Sequence, residues 1–125
     1  MARILIVDDT TANLDLMAGL LRGADHEVHT ATDGASGLAA ARELQPDLIL
    51  CDVQMPGMGG IEVVTQLRGD SRLHTLRVVA VTALTMFGAR ESLLASGFDG
   101  YLEKPVDRRT FVSEVEKYLN PEGHS

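Results

Sequence analysis

Five short runs rich in apolar and β-branched residues recur along the chain at fairly even spacing. Three of them contain continuous apolar stretches (ILIV, LILC and VVAV), a pattern typical of strands that are buried on both faces of a parallel sheet. The second run alternates between apolar and polar residues, which predicts a strand at the edge of that sheet. The predicted strands are Ile4–Val7, Glu27–Ala31, Leu48–Cys51, Arg77–Thr82 and Gly100–Glu103.

Segments with the helical spacing of apolar residues separate these runs. In the first segment Leu14, Met17 and Leu21 lie three and four positions apart, after Asp9 and Thr10 as possible helix caps. Four more segments follow in the same alternation, and the fourth helix is predicted over residues 87–96. Strand and helix therefore alternate five times, which predicts an α/β fold in which helices cover both faces of a parallel sheet through right-handed crossovers.

The length of 125 residues and the composition fit one globular domain, predicted over residues 1–120 with a tail at 121–125. Eighteen acidic against eleven basic residues give a net charge of −7, which argues against nucleic acid and anionic membranes as partners. No apolar segment is long enough for a membrane span or a signal sequence. The single cysteine, Cys51, allows no internal disulfide and suggests a small buried side chain. We expect a cytoplasmic protein.

Polar side chains stand where the predicted strands end. Asp8 and Asp9 follow the first strand, Asp52 ends the third, Thr82 ends the fourth and Lys104 follows the fifth. In open α/β sheets ligands bind at the carboxyl ends of the strands, so these five residues are expected to converge on one crevice. Taken alone, the pair Asp8 and Asp9 would be interpreted as capping the first helix, and only the other residues favour a functional site.

Three carboxylates held close together repel one another, and a hard divalent cation relieves that repulsion. A few oxygen ligands with positions left open for water and a phosphoryl group favour Mg²⁺. Lys104 offers a positive charge and Thr82 a hydroxyl for phosphate oxygens. This set of groups is typical of aspartyl-phosphate chemistry, with Asp52 as the nucleophile.

Four motifs stand in register along the chain: ILIVDD at 4–9, DLILCDVQMPG at 47–57, VAVTA at 79–83 and YLEKP at 101–105. Together they resemble the receiver domain of two-component response regulators, of the stand-alone or hybrid-kinase type. The resemblance extends from Arg3 to about Leu119 and implies a flavodoxin-like three-layer sandwich, doubly wound, with five helices and strand order 2-1-3-4-5.

The resemblance implies that Asp52 accepts a phosphoryl group from a histidine kinase or a phosphotransfer protein. Asp9 and the backbone carbonyl of Gln54 would join Asp52 as direct Mg²⁺ ligands, with Asp8 acting mostly through water. Lys104 would bind the phosphoryl oxygens. In this it would be assisted by the Thr82 hydroxyl and the Ala83 amide.

The resemblance also implies a conformational switch in place of an enzymatic output. Tyr101 would turn inward when Thr82 shifts, and the peptide before Pro105 would be cis. A downstream protein would bind the face formed by the fourth helix, fifth strand and fifth helix, including Met86 and Phe87. The chain would catalyse only its own phosphorylation and dephosphorylation, with no output domain among these residues.

Two alternatives remain open from the sequence. An aspartate-nucleophile phosphohydrolase would usually carry Asp-x-Asp after the first strand, whereas Thr10 stands two residues after Asp8. A degenerate receiver would serve as an interaction module without phosphorylation.

One departure from the family pattern bears on the lifetime of a phospho-form: Leu84, two residues after Thr82, cannot orient a hydrolytic water, and Gln54 would do so weakly. A persistent phospho-form is expected.

Overall fold

The computed structural model describes residues 2–83 and 88–119. Within them strands and helices alternate along the chain, as the hydrophobic pattern predicts. The elements are β1 (Arg3–Val7), α1 (Thr11–Gly23), β2 (Glu27–Ala31), α2 (Gly34–Leu44), β3 (Leu48–Asp52), α3 (Gly60–Arg68), β4 (Val78–Thr82), α4 (Ala89–Ser96), β5 (Gly100–Glu103) and α5 (Phe111–Leu119).

The five strands form one parallel sheet in the order β2-β1-β3-β4-β5, which confirms the predicted fold class. Every residue of β3 and β4 is buried, as expected for strands with helices on both sides. The alternating strand β2 lies at one edge and keeps three of its five residues at least partly accessible. No helix in residues 2–83 and 88–119 is long and apolar enough to cross a membrane.

Two apolar layers hold the helices against the sheet. Ile4 and Ile6 of β1 pack with residues of α1 and α5, whereas Leu5 and Val7 pack with residues of α2, α3 and α4. Burying one such aliphatic side chain contributes about 1.5–3 kcal/mol to folding. Because both faces of the central strands are covered, the ends of the strands are left as the place where polar groups can meet.

At the amino ends of β4 and β5, Arg68 joins three segments of the chain. Its guanidinium donates hydrogen bonds to the carbonyl oxygens of Gly97, His74 and Leu76. It also forms an ion pair of 2.9 Å with Asp99, whose carboxylate accepts a further hydrogen bond from the backbone N–H of Val78. One side chain at the end of α3 therefore fixes the starts of two neighbouring strands.

A few local features differ from the sequence-based expectation. Thr10 occupies the N-cap position of α1, but its side chain makes no capping hydrogen bond. The Asp8 carboxylate accepts a hydrogen bond of 2.9 Å from the Thr10 N–H, which forms an Asx turn just before the helix. The expected start of the fourth helix at Phe87 lies outside the described residues, as do Leu84, Met86 and the tail at 121–125.

Candidate functional site at the carboxyl edge of the sheet

The strand register places four of the predicted site residues along one edge of the sheet. Val7 pairs with Cys51, so Asp8 and Asp52 stand next to each other at the ends of β1 and β3. Thr82 pairs with Glu103 at the ends of β4 and β5, and the Thr82 carbonyl accepts a hydrogen bond of 2.9 Å from the Lys104 N–H. The convergence expected from the sequence follows from parallel pairing alone.

Lys104 lies between two of the carboxylates. Its Nζ is 2.8 Å from Asp8 Oδ2 and 3.4 Å from Asp52 Oδ2, while the Asp8 side chain is fully buried. Asp8 Oδ2 accepts no hydrogen bond of regular geometry within the part of the chain that the structure describes, so the ammonium group is what compensates its charge there. A buried carboxylate oxygen with a single ionic partner is suited to receive a further positive ligand.

Burial raises the pKa of the Asp52 carboxyl above its ordinary value, and the Asp8 charge acts in the same direction. The Lys104 ammonium and the Gln54 amide oppose this rise without cancelling it. Burial lowers the pKa of Lys104, but the close contact with the Asp8 carboxylate and the charge of Asp52 outweigh that effect and raise the pKa overall. Lys104 is therefore firmly protonated, and Asp52 carries a charge that the fold stabilises incompletely.

The acidic residues are close enough to share one cation. Asp8, Asp9 and Asp52 each offer a carboxylate oxygen, and these oxygens all lie within 4.8 Å of one another. Asp8 and Asp52 are buried, whereas Asp9 is exposed at the mouth of the crevice. A set of carboxylate oxygens in a partly open site suits Mg²⁺, which usually keeps several water ligands. The residues present therefore fit the predicted magnesium site.

The segment that follows β3, residues 53–59, is termed the β3–α3 loop. Gln54 is exposed, and its N–H donates a hydrogen bond of 3.3 Å to Asp52 Oδ1. The loop ends where the Gly60 N–H donates to the Val53 carbonyl at 3.0 Å. These two hydrogen bonds hold the start of the loop beside the carboxylate of Asp52.

The remaining predicted site residues lie around this cluster. Thr82 is fully buried and Ala83 is exposed at the end of β4. Tyr101 is partly buried against the apolar layer that contains α4, and the Lys104–Pro105 peptide is cis. Tyr101 pairs with Ala80 in the middle of β4, whereas the other predicted site residues within the described part of the chain lie at or just beyond the carboxyl ends of the strands.

Cys51 precedes Asp52 on β3 and is fully buried. Burial raises the pKa of its thiol to about 12, and the neighbouring charges of Asp52 and Asp8 add to that rise. The thiol is therefore a packing group at neutral pH, as the sequence suggested.

Two glycines beside the site were not identified from the sequence as functional. A side chain on Gly60 would overlap the Asp52 carbonyl oxygen, and one on Gly34 would meet the backbone of Met58. Neither glycine has a positive φ, so close approach of backbone segments explains them better than a special conformation. A glycine at the first position of a predicted helix is a weak signal, because only the fold shows what lies against it.

The comparisons with known proteins agree with this geometry. A family model described as the response regulator receiver domain matches residues 4–116. The polar-differentiation response regulator DivK of Brucella anthropi is 35% identical over 116 residues, which cover 93% of this chain and 94% of the relative. The structure of the chemotaxis protein CheY4 of Vibrio cholerae is similar with a TM-score of 0.88 at 32% identity, covering 94% of this chain and 98% of that one. The structure of a CheY-like receiver domain protein of Methanospirillum hungatei has a TM-score of 0.87 at 29% identity, and the match covers 98% of this chain and 97% of that one.

Proposed function

This chain belongs to the family of two-component response regulator receiver domains, and from that premise we propose that Asp52 accepts a phosphoryl group in a Mg²⁺-dependent reaction. The observation that carries the proposal is the cluster at the carboxyl edge of the sheet. Asp52 is buried there with Lys104 Nζ at 3.4 Å, and its carboxylate lies within 4.8 Å of those of Asp8 and Asp9. A nucleophile, an ammonium group and a set of metal ligands are what transfer to an aspartate requires.

In the proposed reaction an Asp52 carboxylate oxygen attacks the phosphorus atom of a phosphohistidine on the donor protein. An O–P bond forms, the P–N bond breaks, and the electron pair remains on the imidazole nitrogen. Lys104, the Thr82 hydroxyl and the Ala83 N–H bind the phosphoryl oxygens. Lys104 is already held at the nucleophile by its ion pairs, so little reorganisation precedes the transfer.

The proposed magnesium site uses Asp9, Asp52 and the Gln54 carbonyl as direct ligands, with Asp8 acting mostly through water. A bound Mg²⁺ would supply positive charge to the phosphoryl oxygens and offset the repulsion among the carboxylates. The buried Asp8 oxygen that accepts no regular hydrogen bond supports this assignment, because it could accept one from a water ligand of the metal.

The proposed partners are a histidine kinase or phosphotransfer protein as donor and a downstream protein as target, both in the cytoplasm. For the target we propose the face formed by α4, β5 and α5, together with Met86 and Phe87 outside the described residues. A groove lined by Leu94, Tyr101 and Tyr118 runs along this face and supports the assignment. Tyr101 would report the phosphorylation by turning inward as Thr82 moves.

Phosphorylation by a small acyl phosphate in the presence of Mg²⁺ tests the proposal. We expect intact-mass analysis to show one added phosphoryl group that is labile to hydroxylamine, and none on Asp52→Ala. EDTA should abolish the modification. Lys104→Ala should remain folded in Mg²⁺ but lose the coupling between phosphorylation and the movement of Tyr101.

The same experiment separates the two alternatives. A degenerate receiver would gain no phosphate from any donor, or would gain it equally on Asp52→Ala. A phosphohydrolase would release inorganic phosphate from phosphate esters with rapid turnover. The proposal instead assigns the chain only its own phosphorylation and dephosphorylation, with the receiver extending over residues 1–120.

A further inference from the structure

The β3–α3 loop rests against the first residue of a helix that belongs to another part of the chain. Gly34 begins α2 and is buried under Met58. A Cβ atom on Gly34 would lie 2.5 Å from the Met58 carbonyl oxygen and 2.9 Å from Met58 Cβ and Cγ. The nearest of these atoms belongs to the backbone, so a rotamer change of Met58 would not relieve the overlap.

The helix cannot easily retreat from this contact. Leu38 and Ala41 of α2 are buried in the apolar layer, and a Cβ atom on Gly37 would lie 2.8 Å from Val7 Cγ2, so the helix already packs closely on β1. The loop, in contrast, has exposed residues at Gln54, Pro56 and Gly57. A side chain at Gly34 would therefore move the loop more than the helix.

The far end of the loop is also held by a close approach. Gly60 lies directly on the Asp52 carbonyl and the Val53 Cα, where a side chain would not fit. The loop is thus fixed at its junction with Asp52 and again at Gly34. Gln54, whose N–H donates to Asp52 Oδ1, lies between these two points.

We propose that Gly34 is a positioning residue for phosphoryl transfer: the absence of a side chain lets Met58 pack on α2, and this contact holds the Gln54 peptide beside Asp52. The inference rests on the proposed function, in which the Gln54 carbonyl is a Mg²⁺ ligand. It places one determinant of metal affinity on a residue that touches neither the metal nor the phosphoryl group.

The test is calorimetric titration with Mg²⁺ of the parent, Gly34→Ala and a matched control, Gly19→Ala, whose added Cβ would meet nothing within 4 Å. Gly34→Ala should bind Mg²⁺ about tenfold more weakly, because the loop must move, and Gly19→Ala should bind like the parent. The second readout is the rate of phosphorylation by an acyl phosphate against Mg²⁺ concentration. In Gly34→Ala the half-saturating concentration should rise about tenfold while the maximal rate stays within about twofold.

Met58→Ala provides a second variant in which the backbone contact remains and the Cγ contact with Gly34 is lost; we expect about threefold weaker Mg²⁺ binding. Parent-like Mg²⁺ affinity in a folded Gly34→Ala overturns the inference. If Gly34→Ala does not fold, parent-like affinity in Met58→Ala overturns it. A parent that neither binds Mg²⁺ nor gains a phosphoryl group would overturn the proposed function itself, which distinguishes the two failures.

Discussion

Two cationic side chains hold opposite ends of the sheet in different ways. At the amino ends of β4 and β5, Arg68 donates to three backbone carbonyls and pairs with Asp99, so its hydrogen-bonding capacity is well used and its charge is matched. At the carboxyl ends, Lys104 faces a cluster of three carboxylates with a single positive charge.

The difference separates a structural edge of the sheet from a functional one. A cation whose charge is balanced and whose N–H groups are all hydrogen-bonded lowers the free energy of the folded state and offers no free donor to a ligand. The surplus of negative charge at the other edge raises that free energy until a cation neutralises it. Variants at the two edges should therefore differ in how far Mg²⁺ raises their melting temperature.

The largest effect is expected at the amino edge. Arg68→Ala removes hydrogen bonds to three carbonyls and the ion pair with Asp99, which should lower the free energy of unfolding by about 2–4 kcal/mol in urea titrations. Mg²⁺ should still raise the melting temperature of this variant by the same increment as in the parent. A loss under about 1 kcal/mol would contradict a structural role for the guanidinium.

The next effect concerns water at the carboxyl edge. Hydrolysis of the acyl phosphate needs a water in line with the O–P bond, and Leu84 offers such a water no hydrogen bond. Leu84→Glu should shorten the lifetime of the phospho-form about tenfold, which corresponds to about 1.4 kcal/mol of barrier. The measurement is the decay of the intact-mass signal after removal of the donor, with Leu84→Met as an apolar control. Decay of the parent within seconds, or an unchanged rate in Leu84→Glu, would refute this reading.

Binding of Mg²⁺ should stabilise the carboxyl edge by mass action. At a Mg²⁺ concentration about five times Kd, the gain in unfolding free energy is about 1 kcal/mol, seen as a rise of a few degrees in melting temperature. Asp9→Ala should lose most of this rise, whereas Asp107→Asn, at an exposed residue that is not one of the clustered acids, should keep it. Equal rises in both variants would argue against a site at the cluster.

The smallest expected effect is the pH dependence of stability in EDTA. The pKa of Asp52 is raised on folding, mainly by burial, so the folded state holds this proton more tightly than the unfolded state. The protonated Asp52 therefore adds to the free energy of unfolding below the ordinary carboxyl pKa, and this contribution is lost as the pH rises through the folded-state pKa. Asp52→Asn should therefore be at least as stable as the parent at pH 7, with an advantage that shrinks on acidification.

Asp107 gives a comparison of opposite sign. Hydrogen bonds from the Arg109 backbone and side chain hold the pKa of Asp107 below its ordinary value. The ionised Asp107 therefore adds to the free energy of unfolding above the ordinary carboxyl pKa, and this contribution is lost as the pH falls through the lowered folded-state value. Asp107→Asn should be less stable than the parent at pH 7, and the difference should shrink in acid. Thermal melts of both variants and the parent from pH 2 to pH 7 would reveal the two signs, and the same pH dependence in Asp52→Asn and Asp107→Asn would contradict the assignment.

The strands and the convergence at the site were predictable because both depend on local apolar runs and on parallel pairing. β2 and β5 have the predicted bounds, and the other strands differ by a residue at one end. Arg3 extends β1 because it pairs with Glu27 on the neighbouring strand, both in register and as an ion pair of 2.7 Å. A polar residue at a strand end gives no such signal in the sequence.

Contacts between distant segments could not be predicted in the same way. Arg68 resembles an ordinary basic residue in the last turn of a helix, yet one of its carbonyl partners, Gly97, lies 29 positions further along the chain. The side chain of His26, just before β2, is only 8% exposed. It accepts a hydrogen bond from the Ala2 N–H and pairs with Glu116 of α5. Such partners are set by packing of helices on the sheet, which periodicity alone does not specify.

The thiol of Cys51 has a consequence for how the protein responds to oxidants. Oxidation of cysteine to sulfenic acid or to a mixed disulfide proceeds through the thiolate, which is scarce in a fully buried group with a pKa of about 12. Cys51, next to the proposed phosphoacceptor Asp52, is therefore closed to peroxide and to glutathione while the domain stays folded. Oxidants that modify reactive cysteines elsewhere in a cell should therefore leave Cys51 unmodified for as long as the domain is folded.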